Sequence, residues 1–210
     1  TGREKTAAIF MPTKKKLTRL ERVRAEMAAH GLTQLVVSDP MTIFYLTGLR
    51  IDPGERMYCL LLSSDGSARL FVNRLFGTPD VGLPVVNFDD TDDAPALLAP
   101  YLNVEKALGV DKDWPARFLL RLQELPVARE YRVGSICCDM VRAVKDEAEQ
   151  QAMIRSSQVN DSYMVEFAAA IHPGVTERQL AEKILAIYKA HGCSGPSFEP
   201  IVAFADDAAD

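Results

Sequence analysis

Met57-Tyr58-Cys59-Leu60-Leu61-Leu62-Ser63-Ser64-Asp65-Gly66-Ser67-Ala68-Arg69-Leu70-Phe71-Val72 carries two apolar runs joined across an Asp-Gly pair. Asp-Gly supplies the positive backbone angles that a tight turn between twisted strands requires, so this stretch predicts a β-hairpin. Working back from it, Ile43 to Leu46 is a brief apolar segment closed by Thr47-Gly48, and Ser38-Asp39-Pro40 reads as a turn. Before that, Leu35-Val36-Val37 is a short buried strand. Leu17, Leu20, Val23 and Met27 recur at helical spacing up to a stop at Gly31.

Beyond the hairpin, strands and helices alternate. Pro84 to Phe88 and Ala107 to Val110 read as strands, and Tyr131-Arg132-Val133 as a third. Asp92 or Asp93 is placed to cap a helix through Leu102, and Pro115 to open one reaching about Leu125. The alternation predicts an α/β domain, a mixed sheet with helices on both faces. It is assigned to residues 14–138, after a disordered or added leader over 1–13 in which Thr1 to Phe10 read as upstream of a natural start at Met11-Pro12-Thr13-Lys14.

From there the pattern changes. Asp146 with Glu149 makes a capping box at the head of a stretch without Gly or Pro that runs to Ile171. Thr176 with Gln179 opens a second helix lined by Leu180, Ile184, Ile187 and Tyr188, and Phe198 to Phe204 reads as a strand. Helix, helix, strand over 139–210 predicts the opening of a second, α+β domain that stops early. The half-apolar face of Met153, Ser157, Asn160, Met164, Phe167 and Ile171 is expected to be covered by a neighbouring chain or by further protein.

Composition narrows the function. A net charge of -5 with a single basic run, Lys14-Lys15-Lys16, excludes a nucleic-acid partner as the leading reading. No apolar run approaches the roughly 18 residues of a membrane span, so no membrane role is expected. Four cysteines, two of them adjacent at Cys137-Cys138, suit reduced buried thiols in a cytoplasmic protein better than a disulfide framework. His30, His172 and His191 each stand alone at a helix end, where an imidazole meets orphan carbonyls more readily than a metal. Asp89, Asp90, Asp92 and Asp93 are explained by helix capping. Residue chemistry alone shows no active site.

Three ordered motifs are more specific. Arg142-Ala143-Val144-Lys145-Asp146-Glu147-Ala148-Glu149, then Pro173-Gly174-Val175-Thr176-Glu177, then Pro196-Ser197-Phe198-Glu199-Pro200-Ile201-Val202 resemble the entry into the catalytic domain of the pita-bread metallopeptidases. That family includes Xaa-Pro dipeptidases (prolidases), aminopeptidase P, methionine aminopeptidases and creatinases. Tyr45-Leu46-Thr47-Gly48-Leu49 is similar to a motif of the creatinase-type N-terminal domain, which favours the Xaa-Pro or creatinase branch.

The resemblance implies a dimeric enzyme that hydrolyses the amide bond before proline in a peptide substrate. Its two divalent ions, Mn, Co or Zn, would be held by two Asp, one His and two Glu encoded after this stretch. The 210 residues alone are then expected to be inactive, with no metal ligand and no catalytic residue among them. Ala205 and Asp207 depart from the Gly and Asn common in the family, and Asp206, Asp207 and Asp210 do not match its metal-binding motif. Arg50 and Arg56 follow the Tyr-x-Thr-Gly motif; one of them contacts a substrate carboxylate across the dimer, or both are solvated loop arginines. Two alternatives share the architecture: a non-catalytic peptide- or protein-binding member, and a metal-free creatinase-like hydrolase.

Overall fold

The computed structural model describes residues 17–209. The expected leader over 1–13, the Lys14–Lys16 run and Asp210 lie outside those residues, as does the side chain of Asp207. The chain divides into two compact units, residues 1–144 and 145–210.

In the first unit, helix α1 (Arg19–Ala29) starts at Thr18, whose hydroxyl accepts from the Glu21 amide while the Glu21 carboxylate accepts from the Thr18 amide. It leads to strand β1 (Gln34–Val37), then to helix α2 (Pro40–Thr47). The turn expected at Ser38-Asp39-Pro40 is instead the start of that helix. Asp39 caps it by accepting from the amides of Met41 and Thr42, Pro40 sits where no amide is needed, and Gly48 ends it in the left-handed region.

The hairpin forms as expected from β2 (Tyr58–Ser63) and β3 (Ala68–Asn73), with Leu60 opposite Leu70. Strands β4 (Val85–Phe88), β5 (Ala107–Val110) and β6 (Glu130–Val133) complete a six-stranded sheet in the order β4-β3-β2-β1-β5-β6. β1 pairs antiparallel with β2 and parallel with β5, so the sheet is mixed.

Period-two alternation sorts the core into two layers. Leu35, Val37, Tyr58, Leu60, Leu62, Leu70 and Val72 pack on one face with Val23 and Met27 of α1 and Cys137, Cys138 and Val141 of α4 (Ile136–Ala143). Val36, Cys59, Leu61, Phe71, Leu108 and Val110 face the other way, against Leu98, Trp114 and Leu122. Those last residues come from the 3-10 helix Ala94–Tyr101 and from helix α3 (Ala116–Gln123) with its approach. Helix α4 straddles the boundary expected at Cys138; because three of its side chains belong to the first core, the first unit runs on to Val144.

Gly134 and Gly109 let the strand ends close up. A Cβ at Gly134 would lie 2.4 Å from Leu35 Cδ1 and 3.1 Å from Gly109 Cα, so a side chain there would have to displace Leu35 and press on the Gly109 backbone.

The second unit contains α5 (Glu147–Ala169) and α6 (Glu177–Ala190), headed by the two expected capping boxes at Asp146 and Thr176. They meet through Tyr163, Phe167 and Tyr188: Tyr163 and Tyr188 are edge-to-face at 5.9 Å, and Phe167 lies 5.3 Å from Tyr188. The expected strand at Phe198 to Phe204 does not form. A strand needs a hydrogen-bonded neighbour, and among the described residues none lies beside it; Ile201 is 87% exposed.

Candidate functional site

The segment after α2 carries Arg50 and Arg56, of which one is expected to contact a substrate carboxylate or neither is, and the structure gives the two side chains different surroundings. Leu49 and Ile51 pack inward against the first core layer, while Arg50 between them is exposed. Arg50 makes no hydrogen bond or ion pair among the described residues. A tight turn follows, in which Asp52 Oδ1 accepts from the Gly54 amide and the Pro53 carbonyl accepts from the Arg56 amide. Arg56 then donates through Nε and Nη2 to the two oxygens of Asp90, both at 2.8 Å. That forked pair raises the pKa of the guanidinium and lowers that of the carboxyl. Arg56 is engaged, and Arg50 is free.

The capping role expected for the Asp89–Asp93 cluster is corrected by the geometry. Asp90 also accepts from Asn73 Nδ2 at 2.8 Å, Asp89 pairs with Arg74, and Asp93 makes no capping bond but takes two hydrogen bonds from Arg121. Only Asp92 acts locally, accepting from the Asp89 amide at 2.7 Å. Arginines from three separate elements therefore neutralise a run that sequence spacing assigned to one helix start. Two of them, Arg56 and Arg121, border a cleft of about 400 Å³ with Met57, Phe88 and Phe118 among its apolar lining.

A second polar cluster sits where the parallel strands β1, β5 and β6 end, the usual position of ligand crevices in such sheets. Here the groups bind one another. Asp111 accepts from the amides of Ser38 and Asp39 at 3.0 Å and from the Ser135 hydroxyl at 2.7 Å. Arg142 donates to Thr42 Oγ1 at 2.7 Å and to Asp39, and Lys112 pairs with Asp139. The remaining space is about 140 Å³. Arg142, part of the first quoted motif, thus ties α4 to the cap of α2.

The histidines sit at helix ends, and three of the four cysteines are buried. His30 and His191 cap α1 and α6, but their rings turn to Glu26 and Glu166 rather than to free carbonyls, because a carboxylate stands one turn away or on the facing helix. His172 Nδ1 lies 3.1 Å from the Pro173 carbonyl. All four cysteines are free; burial pushes the Cys138 thiol up to about 12 and raises Cys59 and Cys137 as well, which disfavours the thiolate.

Among the described residues no three His, Cys, Asp or Glu side chains converge as metal ligands. The carboxylates that do cluster are already held by arginine, lysine or backbone amides, so this donor set does not fit a dinuclear centre.

A mixed sheet covered by helices on both faces, followed by a capped helix pair, defines the class. Residues 19–144 match the Creatinase/Prolidase N-terminal domain and residues 151–210 match metallopeptidase family M24. The chain belongs to the creatinase/prolidase family of pita-bread peptidases. An uncharacterized peptidase of Staphylococcus aureus strain MSSA476 is 24% identical over 209 residues, which cover 92% of this chain and 56% of that protein. A dipeptidase from Pyrococcus horikoshii OT3 superposes with a TM-score of 0.78 at 25% identity, over 88% of this chain and 52% of its own. Dipeptidase PepE from Mycobacterium ulcerans does so with 0.74 at 28% identity, over 86% and 50%. The chain spans about half the length of the relatives it matches.

Proposed function

We propose that the complete gene product is a metal-dependent Xaa-Pro peptidase, to which the described residues contribute the N-terminal domain and the first two helices of the catalytic domain. One observation carries this: a creatinase/prolidase-type domain runs directly into an M24 match within one chain. Two divalent ions would activate the hydrolytic water; since the clustered carboxylates of the described residues do not fit them, their ligands would come from other residues. Arg50, exposed and unpaired, suits the carboxylate end of a proline-containing peptide, reached across a homodimer. Reduced buried thiols support a cytoplasmic setting. Among the described residues, no helix is long and apolar enough to cross a membrane.

The test is an assay of the complete gene product on Xaa-Pro and Xaa-Ala dipeptides, with and without a chelator, beside light scattering for its mass. Expected are hydrolysis of Xaa-Pro in preference to Xaa-Ala, loss of activity on chelation with recovery on adding Mn, Co or Zn, and the mass of a dimer. Hydrolysis that survives chelation, or no cleavage of any Xaa-Pro dipeptide, would reject the reading.

A further inference from the structure

We propose that Asp90 and Arg117 are positioning residues, a two-point clasp that fixes the segment from Leu49 to Arg56 so that Arg50 is the cation it presents. This rests on the peptidase reading and assigns Arg56 a part different from that of Arg50.

Each end of the segment is held. At its start, Gly48 turns the chain out of α2 at φ 77°, the Leu49 amide donates to Thr47 Oγ1, and Leu49 and Ile51 are packed against the core. At its end Met57 is buried at 2% exposure. Between these points the backbone has only the turn at Gly54, where φ is 57°.

The clasp closes that interval. Asp90 grips the Arg56 guanidinium with both oxygens, and is itself set by Asn73, which is 4% exposed. The Asn73 amide group is oriented in turn, since its Oδ1 accepts from the Leu75 amide at 2.9 Å. Arg117 of α3 donates to the Glu55 carbonyl, its guanidinium lying 4.6 Å from the centre of the Phe118 ring. Two elements that are distant in sequence, the end of β4 and α3, thereby hold adjacent residues 55 and 56. A bidentate pair fixes direction as well as distance, and a lysine at 56 could not reproduce it. With the base of the segment locked, the exposed guanidinium of Arg50 projects from a rigid loop, which lowers the ordering entropy of gripping an anion.

The experiment has two independent readouts. In the 210-residue chain, hydrogen exchange of the amides from Gly54 to Met57 is compared for wild type, Asp90→Asn, Arg117→Ala and the double variant. Exchange is expected to quicken about two- to fivefold in each single variant, the range of a partly exposed ion pair, and by about tenfold in the double. Protection at β1 and β2 should stay unchanged, which separates loosening of the segment from unfolding.

In the complete gene product, the Michaelis constant for Xaa-Pro is compared with that for its C-terminal amide. Arg50→Ala should remove about a tenfold preference for the free carboxylate. Asp90→Asn and Arg117→Ala should reduce that preference severalfold with kcat retained. Unaltered exchange in the double variant overturns the clasp. Faster exchange with a carboxylate preference indifferent to Arg50→Ala overturns the presentation of Arg50 alone. Absence of Xaa-Pro hydrolysis in the wild type rejects the underlying peptidase reading, while the exchange data still judge the clasp.

Discussion

The sheet domain and the helix pair bury their apolar residues very differently. In the first unit the strands β1, β2, β3 and β5 have both faces covered, so Leu35, Leu60, Phe71 and Leu108 are at most 1% exposed. Among the described residues of the second unit, only Tyr163, Leu180 and Ile187 are buried hydrophobics, while Met164 is 51% exposed and Met153, Ile154, Val165 and Ile171 are also exposed. Two helices can share one stripe; a sheet with helices on both sides closes two layers. The first unit is held by packing in depth, and the second by caps and a narrow aromatic seam.

The largest expected effect tests that contrast directly. Phe71→Ala should destabilise the first unit by about 3–5 kcal/mol in denaturant unfolding followed by Trp114 fluorescence, whereas Met164→Ala should change helix stability by no more than about 0.5 kcal/mol. A cost above about 2 kcal/mol for Met164→Ala in this chain would break the comparison.

Smaller effects sharpen it through glycine. Gly134→Ala forces a Cβ against Leu35 and Gly109, and should cost about 1–3 kcal/mol by overpacking. Gly174→Ala meets no neighbouring atom, only the strain of φ 88°, about 1–2 kcal/mol. Equilibrium unfolding of the first variant and hydrogen exchange at the α5–α6 junction of the second measure these. If Gly134→Ala proves harmless, the close approach of β5 and the turn after β6 is not tight.

The smallest expected effect is electrostatic. Burial raises the Asp39 carboxyl, but the Thr42 hydroxyl, the Thr42 and Met41 amides and Arg142 outweigh it and hold the group below its ordinary value. A carboxyl depressed in the folded state stabilises above its unfolded pKa of about 3.9, and that contribution is lost as pH falls through the folded value. Asp39→Ala should therefore cost about 1 kcal/mol at pH 7 and less below about pH 4. Urea melts at pH 7 and pH 3 check the sign; an equal penalty at both would refute it.

The hairpin, the parallel strands and both capping boxes were legible because their signals are local: Asp65-Gly66, short apolar runs, and Thr or Asp followed three residues later by Gln or Glu. Helix α4 is not legible in sequence, since Ile136 to Ala143 offers only a short amphipathic run with no side-chain cap at Ser135. Asp39-Pro40 reads as a turn in sequence because Asp before Pro suits a turn and a helix start alike. Phe198 to Phe204 looked like a strand by composition, yet pairing is a property of two segments. At the candidate site, Arg50 and Arg56 were found together by their distance from Tyr45-Leu46-Thr47-Gly48. Nothing in sequence distinguishes a paired guanidinium from a free one.

Sequence alone determined the α/β order of elements, the family through four short motifs, and the absence of a nucleic-acid signature. Periodicity, turn chemistry and motif spacing are written within a few residues. Tertiary structure decided that Asp90 from the end of β4 and Arg117 from α3 meet residues 55 and 56, and that the acidic run is neutralised by three distant arginines. Such pairs form because sheet order β4-β3-β2-β1-β5-β6 brings together groups 15 to 62 residues apart, a distance over which no local preference acts.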